Sequence, residues 1–157
     1  MLAKLRALLQ GPPEERRLTD FKTEPAVAVC AVLLEAAETD GPITPAEQQL
    51  IQRLLRERFD LDEAAASALM DTARAELGRT PDAWPFTHFI RQHGTPEQKQ
   101  DLLVMIWQVI LQDQRSDPHE EQWARRLVEM LAVNQSVLIQ AKEQARGLLG
   151  QAAMAHA

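Results

Sequence analysis

Tyrosine is absent from this chain, cysteine occurs once, and aromatic residues make up only 4% of it. A single thiol cannot close an intramolecular disulfide, which excludes a small secreted fold stapled by cystines. That thiol, Cys30, lies in the apolar run from Val29 to Leu34, and such surroundings predict a small buried hydrophobe rather than a reactive nucleophile. Long apolar runs are also missing. No stretch approaches the roughly 18 uncharged residues of a membrane span. The opening Leu2 to Leu9 is too short, and too interrupted by Lys4 and Arg6, for a signal peptide, so the expected location is the cytoplasm.

Other absences narrow the function. The net charge is −6, with no basic stripe, which argues against a nucleic-acid partner because phosphate affinity comes from clustered Lys and Arg. The six glycines are scattered, so no phosphate-cradling loop forms, and no Gly-x-Ser-x-Gly elbow occurs. His119-Glu120-Glu121-Gln122-Trp123 begins like a zinc-protease helix but places Trp where the second His must stand. His88 and His93 lie five apart, off the spacing that puts two ligands on one helix face. No residues nominate a reaction, and the chain reads as a non-enzyme.

What is present is helical. With 157 residues and 45% hydrophobic content, the chain can bury one sizeable core. Period-two alternation is nowhere sustained, so an all-α bundle of about seven or eight helices is predicted. Leu2, Leu5, Leu8 and Leu9 fall at helical spacing before Gly11-Pro12-Pro13 ends that segment. Its two cations permit peripheral contact with an anionic membrane, but so short a helix anchors weakly and stable insertion is not expected; docking on the parent domain is the simpler expectation.

The next helix is predicted from near Glu24-Pro25 to Glu38, with Val27, Cys30, Ala31, Leu34 and Ala37 on one face. A helix opened by Pro45 carries Leu50, Ile51, Leu54, Leu55 and Phe59. Asp60 to Glu63 reads as a turn and cap into a helix with Ala65, Leu69, Ala73 and Leu77. A connector follows, whose short helix concentrates Trp84, Phe86 and Phe89; these are expected to fill the core, with a partner-binding patch as the other reading. Thr95-Pro96 opens a helix with a stripe of Leu102, Leu103, Ile106, Ile110 and Leu111. Pro118 opens one with Trp123, Leu127, Val128 and Leu131, and Ser136 to about Met154 closes the chain.

The strongest pattern is an internal repeat. The segment from Leu33 to Glu47 returns, degenerate but in register, as Ile106 to Glu120; Asp40, Pro45 and Glu47 recur as Asp113, Pro118 and Glu120, each 73 positions later. Each copy is an apolar helix, an acidic turn and a second helix. Two readings of the turns stand side by side. In the local one, Thr44 or Asp117 is the N-cap, Pro45 or Pro118 takes the first helical position, and Glu47 or Glu120 reaches back to the cap amide as a capping box. In the other, Asp40, Thr44 and Glu47, and likewise Asp113, Asp117 and Glu120, supply oxygens to a hard divalent cation, calcium or magnesium rather than zinc. Such ions take roughly six to eight oxygens, more than one turn offers, and the spacing fails the EF-hand pattern.

The two segments, Leu33 to Glu47 and Ile106 to Glu120, resemble the paired signatures of the TerB-like family associated with tellurite resistance, and Phe86-Thr87-His88-Phe89-Ile90 is similar to the connector of its stand-alone bacterial members. The resemblance covers roughly Val27 to Ala145. It implies an all-helical domain of two related, pseudo-symmetric halves, a divalent metal at the acidic turns, and a role with protein partners in stress-response assemblies. By this resemblance Asp40 and Glu47 are the ligands of the first copy, and Asp113 and Glu120 those of the second. The second copy departs from the family's Asp-Gly pair, since Gln114 and Arg115 follow Asp113, and a residue with a side chain is strained where Gly turns freely. The domain organisation expected is an N-terminal short helix and linker over 1–23 and a helical domain over 24–157, divided into a first half 24–77, a connector 78–95 and a second half 96–157.

Overall fold

The computed structural model describes residues 25–39, 41–112 and 118–155, the side chains of 118–121 and 152–155 excepted. Seven helices account for most of them: α1 (Pro25–Ala37), α2 (Pro45–Phe59), α3 (Glu63–Leu77), α4 (Trp84–His93), α5 (Pro96–Leu111), α6 (Pro118–Leu131) and α7 (Gln135–Ala155). No strand occurs among the described residues, so the fold is all-α as the periodicity predicts. The N-terminal segment read as a short helix lies outside the described residues. No described helix is long and apolar enough to cross a membrane.

Helix α1 is the centre of the packing and touches α2, α3, α4 and α5. The expectation of a single apolar face is corrected here: Ala28, Val32, Leu33 and Ala36 are buried as completely as the predicted Val27, Cys30, Ala31, Leu34 and Ala37. A helix apolar on all sides has to be covered on all sides, and the four neighbours do this. Its small residues let them approach closely. Helix α5 behaves alike in its second half, where Leu102 to Ile110 are buried without a break rather than as the predicted stripe. It packs on α1, α2 and α7, while α6 bridges α4 and α7.

The remaining helices are two-faced. On α2, Leu50, Ile51, Leu54 and Leu55 face inward, whereas Arg53, Arg56, Glu57 and Arg58 are exposed. The buried positions of α3 are Ala66, Leu69, Met70, Ala73 and Glu76, with the predicted Ala65 and Leu77 only partly covered. Glu76 is tied at the helix end by Arg79, whose Nη1 donates to Glu76 Oε1 at 3.2 Å. Lys142 of α7 lies over the Trp107 ring of α5, 4.7 Å from its centre, adding a cation–π contact to that helix pair.

Local chemistry sets the helix ends. Asp62 Oδ1 accepts from the Ala65 amide at 2.7 Å to open α3, and Thr95 and Gln98 form a reciprocal capping box that opens α5. Asp60 closes α2 in the left-handed region at φ 54°, which lets the Leu61 amide donate back to Arg56 and buries the Leu61 side chain.

Because Leu34 has no exposed surface and belongs to the helix that four others cover, Leu34→Ala should lower unfolding stability by about 2–5 kcal/mol. The exposed Ile139 of α7 gives the contrast: Ile139→Ala should stay within about 0.5 kcal/mol. Urea denaturation of the two variants checks both; similar losses would show that α1 is not the packing centre.

Candidate functional site

The first acidic turn begins where α1 leaves the core. The Glu38 amide continues the helical pattern to Leu34, the Thr39 hydroxyl donates to the Ala36 carbonyl at 3.0 Å, and the Gly41 amide donates to Glu38 at 3.3 Å. Gly41 has φ 143°, a conformation that side-chain-bearing residues rarely adopt, and the space where a Cβ would stand is open. Thr44 then opens α2: its Oγ1 accepts from the Glu47 amide at 3.1 Å, and Glu47 Oε1 accepts from the Thr44 amide at 3.1 Å. This is the capping box read from the sequence, with Pro45 at the first helical position. The cap uses the Thr44 hydroxyl as an acceptor and one carboxylate oxygen of Glu47, and leaves Glu47 Oε2 outside it.

Of the six residues expected to ligate a cation, Thr44 and Glu47 are therefore brought together as a cap. Asp40, Asp113 and Asp117 lie outside the described residues, as does the side chain of Glu120. Among the described residues no three His, Cys, Asp or Glu side chains converge as a metal cluster would require. Pro118 opens α6 as Pro45 opens α2, so both copies of the repeat start a helix at the matching proline.

A different site emerges at the connector. A cleft of about 140 Å³ lies between the end of α1, the start of α4 and α6; Glu35, Asp82 and Arg126 give it charge, and Trp84 and Trp123 give it aromatic walls. The expectation that the connector aromatics fill the core is corrected for one of the three. Phe86 is fully buried and Phe89 partly so, whereas Trp84 is 55% exposed. Helical period explains the split. Residues two apart point to different faces, so Trp84 and Phe86 cannot both look inward, while Phe86 and Ile90, four apart, do. Trp84 stacks on His88 one turn later, with ring centres 4.7 Å apart and planes 15° from parallel. Phe89 and His93 also meet at the other end of α4, with ring centres 4.6 Å apart but planes tilted by 39°.

The entry to α4 is fastened without a side-chain cap on Ala83. Asp82 Oδ1 accepts from the Trp84 amide at 2.9 Å, and the Thr80 hydroxyl donates to the Asp82 carbonyl at 2.6 Å. Thr87 is buried and satisfies its hydroxyl by donating to the Trp84 carbonyl at 3.0 Å. Glu35 is half-buried in the cleft wall, and burial raises its carboxyl above the usual range; the Ala83 amide, which donates to it, and the Arg126 charge oppose that rise, whereas Asp82 and Glu38 add to it. Burial also pushes the Cys30 thiol far up, only weakly opposed by Arg74, which leaves it protonated and inert as its sequence surroundings predict.

Comparison with known proteins adds one finding. The family model for tellurite resistance protein TerB matches residues 26–143. The chain belongs to the TerB family. No curated protein sequence and no solved structure matches it significantly. The matched span runs from the second residue of α1 into α7 and so includes the first acidic turn, the connector and the cleft of this TerB domain.

The raised Glu35 carboxyl has a stability consequence whose sign follows from linkage. A group whose folded-state pKa exceeds its unfolded value stabilises the fold below the unfolded value of about 4.3 and loses that contribution as pH rises through the folded value. Glu35→Gln keeps an acceptor for the Ala83 amide without the buried charge. The variant should be more stable than wild type at neutral pH, with the difference shrinking on acidification. Thermal melts across that range check this, and a difference independent of pH would contradict it.

Proposed function

We propose that this TerB-family protein is a non-enzymatic, stress-associated binding module that works in the cytoplasm by docking a protein partner on the cleft between α1, α4 and α6. The carrying observation is Trp84: a large aromatic, 55% exposed, held on the rim of a cleft beside Trp123. Aromatic side chains so placed are characteristic anchors of protein interfaces, because they contribute large contact area at little entropic cost. Glu35, Asp82 and Arg126 add charged groups that orient a partner segment over those aromatic walls. The acidic overall balance, −6, supports a protein rather than a nucleic acid as that partner.

A divalent cation at the acidic turns is the second reading, calcium or magnesium in preference to zinc, held by Asp40 and Glu47 with Thr44 in the first copy and by Asp113, Asp117 and Glu120 in the second. Two observations favour the first copy: Gly41 keeps a positive φ with open space beside it, and the cap leaves Glu47 Oε2 for a further partner. Oxygen donors of this kind suit hard cations.

Trp84→Ala should leave thermal stability close to wild type, because the ring is half in solvent, yet remove the proteins that co-purify with the tagged wild-type chain from its own cells. Unchanged co-purification would overturn the docking surface. For the cation, amide NMR shifts of chelator-treated protein should respond saturably to calcium or magnesium around residues 40–47, and a hundredfold ligand excess over Kd should add about 2.7 kcal/mol of stability. Shifts that do not saturate would leave the turn as a cap alone.

A further inference from the structure

A larger cavity, about 160 Å³, opens at the other end of α1. Its walls are Pro25 and Val29 of α1, Phe59 of α2, Phe89 of α4, and Leu102 and Met105 of α5, with Arg58 and His93 among the lining residues. The walls are mainly apolar, with Arg58, His93 and Gln98 as the polar members of the lining. The cavity shares no lining residue with the Trp84 cleft, and the proposed partner docking leaves it unused.

We propose that this cavity receives the ring of Phe21, so that the N-terminal segment docks on its own helical domain through one aromatic side chain. Size is the first argument. An apolar protein cavity of about 150 Å³ is large enough to bind benzene, the ring that Phe carries. Reach is the second. Pro25 forms part of the cavity wall, so the preceding chain departs from the cavity itself, and Phe21 stands four positions earlier, within about 14 Å of extended chain. A residue that precedes a proline, as Glu24 does, is biased away from helical geometry.

Charge is the third argument. Phe21 is the only apolar residue between Leu18 and Pro25, and its neighbours Asp20, Lys22 and Glu24 sum to a net negative charge, which complements the Arg58 guanidinium in the lining. Arg58 Nη2 already holds Asp101 at 3.3 Å, but both side chains are well exposed, and a pair of that kind exchanges partners at small cost. The ring would meet Phe89, itself in contact with His93, and an aromatic cluster of this sort favours edge-to-face or offset packing.

The test uses the full chain. In protein with labelled methyl groups and labelled phenylalanine rings, Phe21 ring protons should give nuclear Overhauser contacts to the Met105 ε-methyl and the Leu102 δ-methyls, and those methyls should carry an upfield ring-current shift. Phe21→Ala should abolish the contacts and the shift while leaving the resonances of α6 and α7 in place, and Phe21→Leu should keep the docking but lose the ring-current shift. Isotope-filtered spectra of a mixed labelled and unlabelled sample decide whose ring it is. Contacts within one chain establish the proposal. Their absence in wild type, or contacts seen only between chains, overturns it, the latter assigning the cavity to a second copy.

Discussion

Everything in this structure is arranged around the need to cover α1. Ten of its thirteen residues are buried and its single charged side chain is Glu35, so four helices must close around it. Small side chains at Ala26, Ala28, Ala31, Ala36 and Ala37 bring those neighbours near, and close-packed interiors tolerate little slack. The chain becomes polar only where α1 ends, and there it does so abruptly, through Glu35, Glu38, the glycine turn and the cap at Thr44. The acidic turn and the charged wall of the Trp84 cleft are thus two products of one constraint: the points at which a largely buried helix returns to solvent.

The parts of this fold legible in the sequence are those decided within four residues. Thr44 with Glu47, Thr95 with Gln98, and Asp62 with Ala65 are short-range hydrogen-bond exchanges, and each stands where the residue pattern predicts a helix start. Cys30 was legible because its neighbours are uniformly apolar. Burial on all sides of α1 and of α5 was not, because an apolar stripe and an apolar cylinder differ only in residues such as Ala28, Val32 and Val104, which sit comfortably in either environment. Tertiary neighbours settle that difference, and they lie elsewhere in the chain.

Trp84 shows a separate limit. Its size favours the core, yet the helical period sets it against Phe86, and the face that wins is the one with more apolar partners, Phe86 with Ile90. Counting aromatics in a segment obscured this, whereas assigning each to a face of α4 separates the exposed indole from the buried phenyl. Glu76 is a comparable case, an acidic residue buried at a helix end, where the largely exposed Arg79 three positions on reaches its carboxylate.

The two cavities lie at opposite ends of one helix pair. Glu35, near the end of α1, shares a cleft with the start of α4, while Pro25 and Val29, at the beginning of α1, share theirs with Phe89 and His93 near the end of α4. The two helices therefore run antiparallel, and Phe86, fully buried, stands on α4 between the sites. With about 1.5 Å of rise per residue, Trp84 and His93 are separated by roughly 14 Å along the axis, too far for one bound side chain to touch both cavities. Phe86 of α4, packed in the buried core between the two sites, separates them. The fold thus sets two separate cavities, with no lining residue in common, on the same two helices.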